Sequence, residues 1–153
     1  MYNPASLQSA TLSGSRLKFV VDNIPDTEIR SSAIHGNGLF ATRDFEAGEI
    51  IATLDGQVVN WPSYERIKST LPYGDHNDDL FMEWNALSAD TLLIRPFRTK
   101  YSFINHGRVP NIQRIDGPLR LITTMAIAAH TELLIDYRDE PLSPKYLQQA
   151  TFL

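Results

Sequence analysis

The apolar residues of this chain come in short runs that end at turn-forming residues, and this pattern constrains the fold more than any other feature. Glu49–Leu54, for example, is a β-branched and apolar run that ends at Asp55-Gly56. Runs of this length between turn residues are typical of strands. The sequence therefore predicts a mostly β, irregular, non-barrel domain with short helices.

The same pattern recurs along most of the chain. Arg98–Ile104 is predicted to hold a short helical turn. The other predicted strands are Leu17–Val21, Thr27–Ser32, Leu39–Thr42, Leu80–Trp84, Thr91–Ile94, Ile112–Ile115, Leu119–Ile127 and Glu132–Asp136.

One α-helix is predicted in the middle of the chain. Asn60 is a suitable N-cap, and Pro62 fits the first turn, where its missing N–H costs no hydrogen bond. Pro72 and Gly74 are expected to end the helix. An apolar stripe at i, i+3 and i+7 consists of Tyr64, Ile67 and Leu71.

Length and composition exclude several classes of protein. The 153 residues correspond to one domain, because domains cluster near about 100–150 residues. Lys and Arg number 14 against 18 Asp and Glu, which gives a net charge of −4 and argues against a direct nucleic-acid partner, since such proteins are usually strongly basic. The absence of cysteine excludes disulfides, thiolate zinc sites and cysteine nucleophiles.

The sequence also bears on location. Met1–Ser15 lacks the early positive charges and apolar block of a signal peptide. The longest uncharged apolar stretch, Leu121–Ala129, is far shorter than the roughly 20 residues that span a bilayer. We therefore expect a cytoplasmic protein without membrane contacts, in which residues 1–15 form a frayed, flexible lead-in.

Three separated segments carry residue types suited to chemistry. In Ile34–Glu49, Gly36 and Gly38 let the backbone approach a small polar cofactor without an intervening Cβ, although such a pair taken alone is more often a turn. The segment does not fit the dinucleotide fingerprint, because Ala41 stands where the third glycine is needed.

The second and third segments each have a plain structural interpretation when taken alone. In Tyr101–Asn111, an Asn-His pair and a Pro-Asn pair place amide and imidazole groups beside a turn, where they also suit local backbone hydrogen bonds. In Glu132–Tyr137, alternation places Glu132, Leu134 and Asp136 on one strand face. Tyr137 then ends the apolar face, which is also typical of a core tyrosine.

Together and in this order, the three segments resemble the SET-domain family of protein lysine methyltransferases. The family pattern of Gly-x-Gly-Leu-Phe-Ala, Asn-His-x-x-x-Pro-Asn and Glu-Leu-x-x-Asp-Tyr is found at Gly36–Ala41, Asn105–Asn111 and Glu132–Tyr137. The resemblance implies a SET-domain-like (β-clip) fold of small curved sheets over residues 16–140. It also implies a C-terminal pseudoknot, in which the last segment threads through an earlier loop and meets the Asn-His segment.

The resemblance further implies the residues that bind S-adenosylmethionine and the lysine substrate. Tyr137 is the predicted catalytic residue, since its hydroxyl lines the channel where the methyl group is passed. The lysine channel is predicted to contain Ile135, Tyr137 and Tyr146. The predicted cofactor-binding residues are His35, Gly36, Asn37, Gly38, Leu39, Asn105, His106 and Tyr137. Methyl transfer of this kind depends mainly on alignment and desolvation.

The chain departs from the family pattern at several positions. Leu54 stands where many members have the tyrosine of Tyr-x-Gly, and Ile135 stands where Phe or Tyr commonly limits the number of methyl groups added. Ser102 replaces an arginine. Without cysteine, the zinc-bound segment that closes the channel in many relatives cannot form, so the tail 141–153 or a second copy in a homodimer is expected to close it.

Other chemistry has little support in the sequence. The histidines lack metal-ligand spacing, and no metal site is predicted. Asp75–Asp79 resembles a calcium loop, but Leu80 and Ala86 stand where such a loop needs glycine and glutamate, so a solvated loop is expected. No nucleophile-elbow pattern supports a hydrolase.

The sequence thus predicts a protein lysine N-methyltransferase that uses S-adenosylmethionine and acts on a protein with an accessible lysine. A non-catalytic SET-like module that binds a peptide or the cofactor is the alternative, and a small-molecule methyltransferase on the same scaffold is a third. Labelled S-adenosylmethionine distinguishes the three: the lysine methyltransferase yields labelled protein, the binding module binds the cofactor without transfer, and the small-molecule enzyme yields a labelled metabolite.

Overall fold

The computed structural model describes residues 20–70 and 82–142. Within these ranges the chain is mostly β, with one α-helix and two short 3-10 helices, at Lys100–Phe103 and Tyr137–Asp139. The helix α1 is Trp61–Thr70. The strands are β1 (Thr27–Ser31), β2 (Asn37–Ala41), β3 (Ile50–Thr53), β4 (Gln57–Asn60), β5 (Glu83–Ala86), β6 (Thr91–Arg95), β7 (Asn105–His106), β8 (Ile112–Ile115), β9 (Arg120–Thr123) and β10 (Leu134–Ile135).

The described residues form two compact units that alternate along the chain. The helix-containing unit comprises residues 20–22, 55–70, 82–99 and 141–142, and the three-sheet unit comprises residues 23–54 and 100–140. No helix in the described part is both long and apolar enough to cross a membrane. The mostly β architecture of several small sheets with one helix confirms the predicted fold class.

The helix-containing unit is a three-stranded antiparallel sheet, in the order β4-β6-β5, with α1 packed against it. As predicted, Asn60 caps α1, because its side-chain oxygen accepts a hydrogen bond from Ser63 N at 2.9 Å. Tyr64 is the buried residue of the helix. It packs in a cluster with Met82, Ala86, Leu92 and Ile94, which Val59, Trp61, Ile67, Trp84 and Leu142 border.

A buried ion pair joins β5 and β6 inside this unit. Arg95 Nε lies 2.7 Å from Glu83 Oε2, and the two side chains are 6% and 4% exposed. Thr99 donates to the same carboxylate from its N and Oγ1, at 3.1 and 2.6 Å. Arg95 also donates to Asp55 O at 2.8 Å and to the Asn85 amide oxygen. The charges are therefore compensated, as buried charges must be.

The three-sheet unit contains the antiparallel hairpin β1-β2, the antiparallel sheet β3-β9-β8 and the parallel pair β7-β10. Its interior is apolar, and Ile24, Leu39, Ile112, Leu121 and Leu133 are fully buried there. The short parallel pair joins residues that lie far apart in the chain, since Leu134 is opposite Asn105 and Ile135 is opposite His106.

Several predicted elements have different limits in the structure. β8 has the predicted bounds, whereas β9 and β10 are shorter than predicted. β4 was not predicted, because Gln57–Asn60 is a mostly exposed edge strand without apolar alternation. β5 begins at Glu83 rather than Leu80, and the Glu83–Arg95 ion pair lies in its register. Leu17–Phe19, Leu71, Pro72, Gly74 and the Asp75–Asp79 loop lie outside the described residues.

Candidate functional site

The three segments singled out in the sequence meet in the three-sheet unit. Leu133 N donates to Leu39 O at 2.7 Å, and Glu132 forms a β-bridge with Phe40, so the third segment lies along β2. The next two residues then pair with β7. This confirms the expected meeting of the Asn-His and Asp-Tyr segments.

Asn111, at the end of the second segment, holds the third segment in this place. Its Oδ1 accepts from Leu134 N at 2.8 Å, and its Nδ2 donates to Glu132 O at 2.8 Å. Its own N–H donates to Leu134 O at 3.2 Å. An asparagine amide has one acceptor and one donor group, so both ends of this side chain are engaged with the same stretch of backbone.

Gly36 and Gly38 are required for two different reasons. Gly36 is exposed, has a φ of +48° and has no atom within 4 Å of a Cβ built on it, so it serves the turn between β1 and β2. Gly38 is buried, and its Cβ would lie 2.1 Å from Glu132 Oε1. The sequence interpretation assigned the space beside both glycines to a ligand, but beside Gly38 that space holds a carboxylate of the chain itself.

Asn105 ties the glycine turn to the third segment. Its Nδ2 lies 2.7 Å from Glu132 Oε1, 3.2 Å from His35 O and 3.3 Å from Asn37 O. The side chain is almost buried, at 9% exposure of the residue. All three acceptors face the nitrogen, so the orientation of the amide is fixed.

His106 and Tyr137 lie against each other where β7 meets the third segment. His106 Nδ1 accepts from Tyr137 N at 3.2 Å, and the two ring centroids are 5.4 Å apart. A ring nitrogen that accepts a hydrogen bond carries no proton, so the neutral imidazole has its proton on Nε2. In the described part of the chain, neither His106 Nε2 nor Asn105 Oδ1 has a hydrogen-bond partner.

The Tyr137 hydroxyl is held by the backbone. It donates to Ile104 O at 2.5 Å, and the residue is half-buried. Burial, followed by the nearby negative charge of Glu140, raises the pKa of Tyr137 above its usual value. The phenol therefore stays neutral at physiological pH and cannot serve as a base, while the lone pairs of its oxygen remain available as acceptors.

A second tyrosine, without a predicted role, belongs to the same unit. The Tyr101 hydroxyl donates to Glu140 Oε1 at 2.8 Å, and Arg114 Nη1 lies 3.5 Å from that oxygen. Burial and the adjacent Glu140 carboxylate raise the pKa of Tyr101 well above its usual value. Its position at the start of the second segment is the only signal that the sequence offered.

Asp136 departs from the predicted alternation. It is buried and caps the 3-10 helix Tyr137–Asp139, because its Oδ1 accepts from Arg138 N at 3.0 Å. The Arg138 guanidinium also binds its carboxylate, and these hydrogen bonds hold the pKa of Asp136 well below its usual range. The alternation fails at this residue because the chain leaves the strand after Ile135.

The remaining predicted residues have different surroundings. Leu39 is fully buried and its carbonyl pairs with Leu133, so its side chain belongs to the core. The Ile135 side chain is buried, at 2% exposure. His35 is exposed and Asn37 is half-buried. Tyr146 lies outside the described residues.

Glu132 is the residue that sequence reasoning missed at this site. It begins the third segment and was given no role, yet its carboxylate contacts both the Asn105 amide and the Ser32 hydroxyl. Within residues 20–70 and 82–142, no three His, Asp or Glu side chains are grouped so that they could hold a metal ion.

One family of known proteins matches the chain. No curated protein matches the chain. The family model described as the SET domain matches residues 36–138. This range begins at Gly36 and includes the β7-β10 pair and Tyr137. Because the match covers more than half of the 153 residues, the chain belongs to the SET domain family.

Proposed function

We propose that this protein is a protein lysine N-methyltransferase that transfers a methyl group from S-adenosylmethionine to the side-chain amine of a lysine in a protein substrate. Members of the SET domain family are typically methyltransferases of this kind. The observation that carries the proposal is the placement of the neutral Tyr137 phenol beside the Asn105-His106 strand.

The polar groups of the site suit the proposed cofactor. Asn105 Oδ1 is an acceptor without a partner in the described residues, and it suits the ammonium group of the methionine portion. His106 Nε2 carries a proton and suits an acceptor nitrogen of the adenine. The exposed turn at Gly36 leaves the backbone accessible beside them.

S-adenosylmethionine would supply an electrophilic methyl group on a sulfonium, and the neutral lysine amine would be its acceptor. The Tyr137 hydroxyl donates its hydrogen bond to Ile104 O. Its oxygen is therefore free to accept weak C–H···O contacts, worth about 0.5–1 kcal/mol each, that orient the methyl group.

The lysine must be neutral before it reacts. The pKa of a lysine side chain in water is about 10.4, and an apolar, dry channel or a nearby positive charge lowers that value. Proton loss to water is then sufficient. This agrees with the raised pKa of Tyr137, which excludes that phenol as a base.

Tyr137→Phe tests the assignment directly. We expect kcat to fall about tenfold, since the oxygen that would accept the weak C–H···O contacts is lost, while the Kd of the cofactor changes less than threefold. Transfer of a labelled methyl group to lysine-rich proteins measures kcat, and calorimetry measures Kd. Tyr64→Phe, the same chemical change in α1, is the matched control and should leave both unchanged.

The outcomes separate the candidate functions. Equal losses in kcat and affinity would contradict the role given to Tyr137. Absence of both cofactor binding and methyl transfer would refute the proposed function. Cofactor binding without transfer to any peptide would favour the binding module, which the buried Leu54 at the usual tyrosine position motivates.

A further inference from the structure

The Glu132 carboxylate has no part in the methyl transfer proposed above, yet it lies at the centre of the site. Its Oε1 is 2.7 Å from Asn105 Nδ2 and its Oε2 is 2.9 Å from Ser32 Oγ. One carboxylate thus joins a side chain of β7 to the turn between β1 and β2. Hydrogen bonds to an ionised acceptor are about twice as strong as those between neutral groups.

Through Ser32, the carboxylate acts on the glycine turn. The Ser32 hydroxyl accepts from Ile34 N at 2.9 Å and from His35 N at 3.4 Å. A hydroxyl has a single proton, and its donation to Glu132 turns the oxygen lone pairs toward these two N–H groups. Glu132 therefore sets the hydroxyl orientation on which the turn before Gly36 depends.

The carboxylate also fixes the orientation of the Asn105 amide and so the position of its oxygen, Oδ1. A flipped amide would place Oδ1 against Glu132 Oε1 and against the carbonyls of His35 and Asn37, where every neighbour is an acceptor. The flipped form is excluded by repulsion between acceptors, so Oδ1 is kept on the side that has no donor among the described residues.

We propose that Glu132 is a positioning residue that orients Asn105 Oδ1 toward the ammonium of an amino-acid-bearing ligand and holds the turn before Gly36 in place. This inference rests on the proposed function, because it names the part of the cofactor that the arrangement recognises. The absence of a Cβ at Gly38 is what lets the carboxylate lie directly against β2.

The test compares two ligands that share the adenosine portion. S-adenosylhomocysteine carries the ammonium, and methylthioadenosine lacks the amino-acid portion. Glu132→Gln keeps the size of the side chain but replaces the charged acceptor of Asn105 Nδ2 by a neutral amide, which weakens the preference for the observed amide orientation. We expect the Kd of S-adenosylhomocysteine to rise about tenfold, as for loss of one charged hydrogen bond, and that of methylthioadenosine to change less than twofold.

Glu65→Gln, an exposed position on α1, is the matched control and should change neither Kd. Equal weakening of both ligands would reduce Glu132 to a general structural role and overturn the proposal. No change for either ligand would overturn it as well.

A measurement without ligand separates this inference from the proposed function. If wild-type protein binds neither ligand, the proposed function fails, and amide hydrogen exchange then decides the role of Glu132 in the turn. Glu132→Ala should speed exchange at Ile34 and His35 at least fivefold while leaving β8 protected. Unchanged exchange at these two amides would overturn the role of Glu132.

Discussion

Replacement of Gly38 by alanine should destabilise the protein through a single steric conflict. The new Cβ would lie 2.1 Å from Glu132 Oε1 and 2.7 Å from its Cδ, so the carboxylate must move. Gly38 has no positive φ, and alanine is therefore acceptable to the backbone itself. A displaced carboxylate loses its bonds to Asn105 and Ser32, which contribute about 1.5–3 kcal/mol each when one partner is charged. Because Glu132 is only half-buried, water offsets part of this, and we expect a loss of about 3 kcal/mol.

The double variant Gly38→Ala with Glu132→Ala isolates the steric conflict between the new Cβ and the carboxylate. In Glu132→Ala the carboxylate is gone, and Ser32 Cβ, at 3.1 Å, is the next nearest atom to the Gly38 Cβ position. Adding Gly38→Ala to Glu132→Ala should therefore cost less than about 1 kcal/mol, which gives a coupling free energy of about 2 kcal/mol.

Gly36→Ala is the matched control in the same hairpin. Here nothing lies within 4 Å of the Cβ position, but φ is +48°. The left-handed conformation costs alanine about 1–2 kcal/mol, and Glu132→Ala should not relieve this cost.

Urea denaturation followed by circular dichroism measures the free energies of unfolding, and unchanged m-values show that the comparison is valid. The reasoning fails if Gly38→Ala costs no more than Gly36→Ala. It also fails if the cost of Gly38→Ala is undiminished in the Glu132→Ala background.

Two further predictions concern charges elsewhere in the molecule. Glu83→Ala leaves the buried Arg95 charge without its partner and should lower the free energy of unfolding by about 3–5 kcal/mol in urea denaturation. The double variant Glu83→Leu with Arg95→Met should lose less. A loss under about 1 kcal/mol for Glu83→Ala would contradict this. The pKa of Asp136 is lowered in the folded protein, first by its hydrogen bond to Arg138. Its carboxylate therefore stabilises the fold at pH values above about 3.9, the pKa of the unfolded chain, and this stabilisation is lost as the pH falls through the folded pKa. Arg138→Met should flatten the pH dependence of unfolding below about pH 4, and a curve parallel to wild type would refute the cause.

Features that depend on neighbouring residues could be predicted from the sequence. The Asn60 cap and the β8 strand needed only local patterns, since capping and alternation act over a few residues. The meeting of the second and third segments came from the family resemblance, because no local pattern indicates a parallel pair of strands.

Features that depend on distant partners could not be predicted. Gly38 looked like a site of ligand approach because the partner that fills its Cβ space, Glu132, lies far along the chain. The predicted start of β5 was wrong because its first residue, Glu83, lies opposite Arg95 of β6 and pairs with it, and the sequence does not show this partner. Asp136 left its predicted face because the strand ends at Ile135 and Asp136 caps the following 3-10 helix, where its carboxylate accepts from Arg138 N.

The large sequence separation between the residues in these contacts affects the folding rate. The Ser32–Glu132 hydrogen bond joins residues 100 positions apart, and Asn105 contacts His35 across 70. Contacts of such separation require closure of long loops, and domains dominated by them fold slowly, in about milliseconds to seconds. The β1-β2 hairpin can form early, but its turn acquires the Glu132 anchor only when residues 132–135 dock between β2 and β7. The docking of residues 132–135 also assembles the site, so a chain in which this segment is undocked has neither the positioned turn nor the placed phenol.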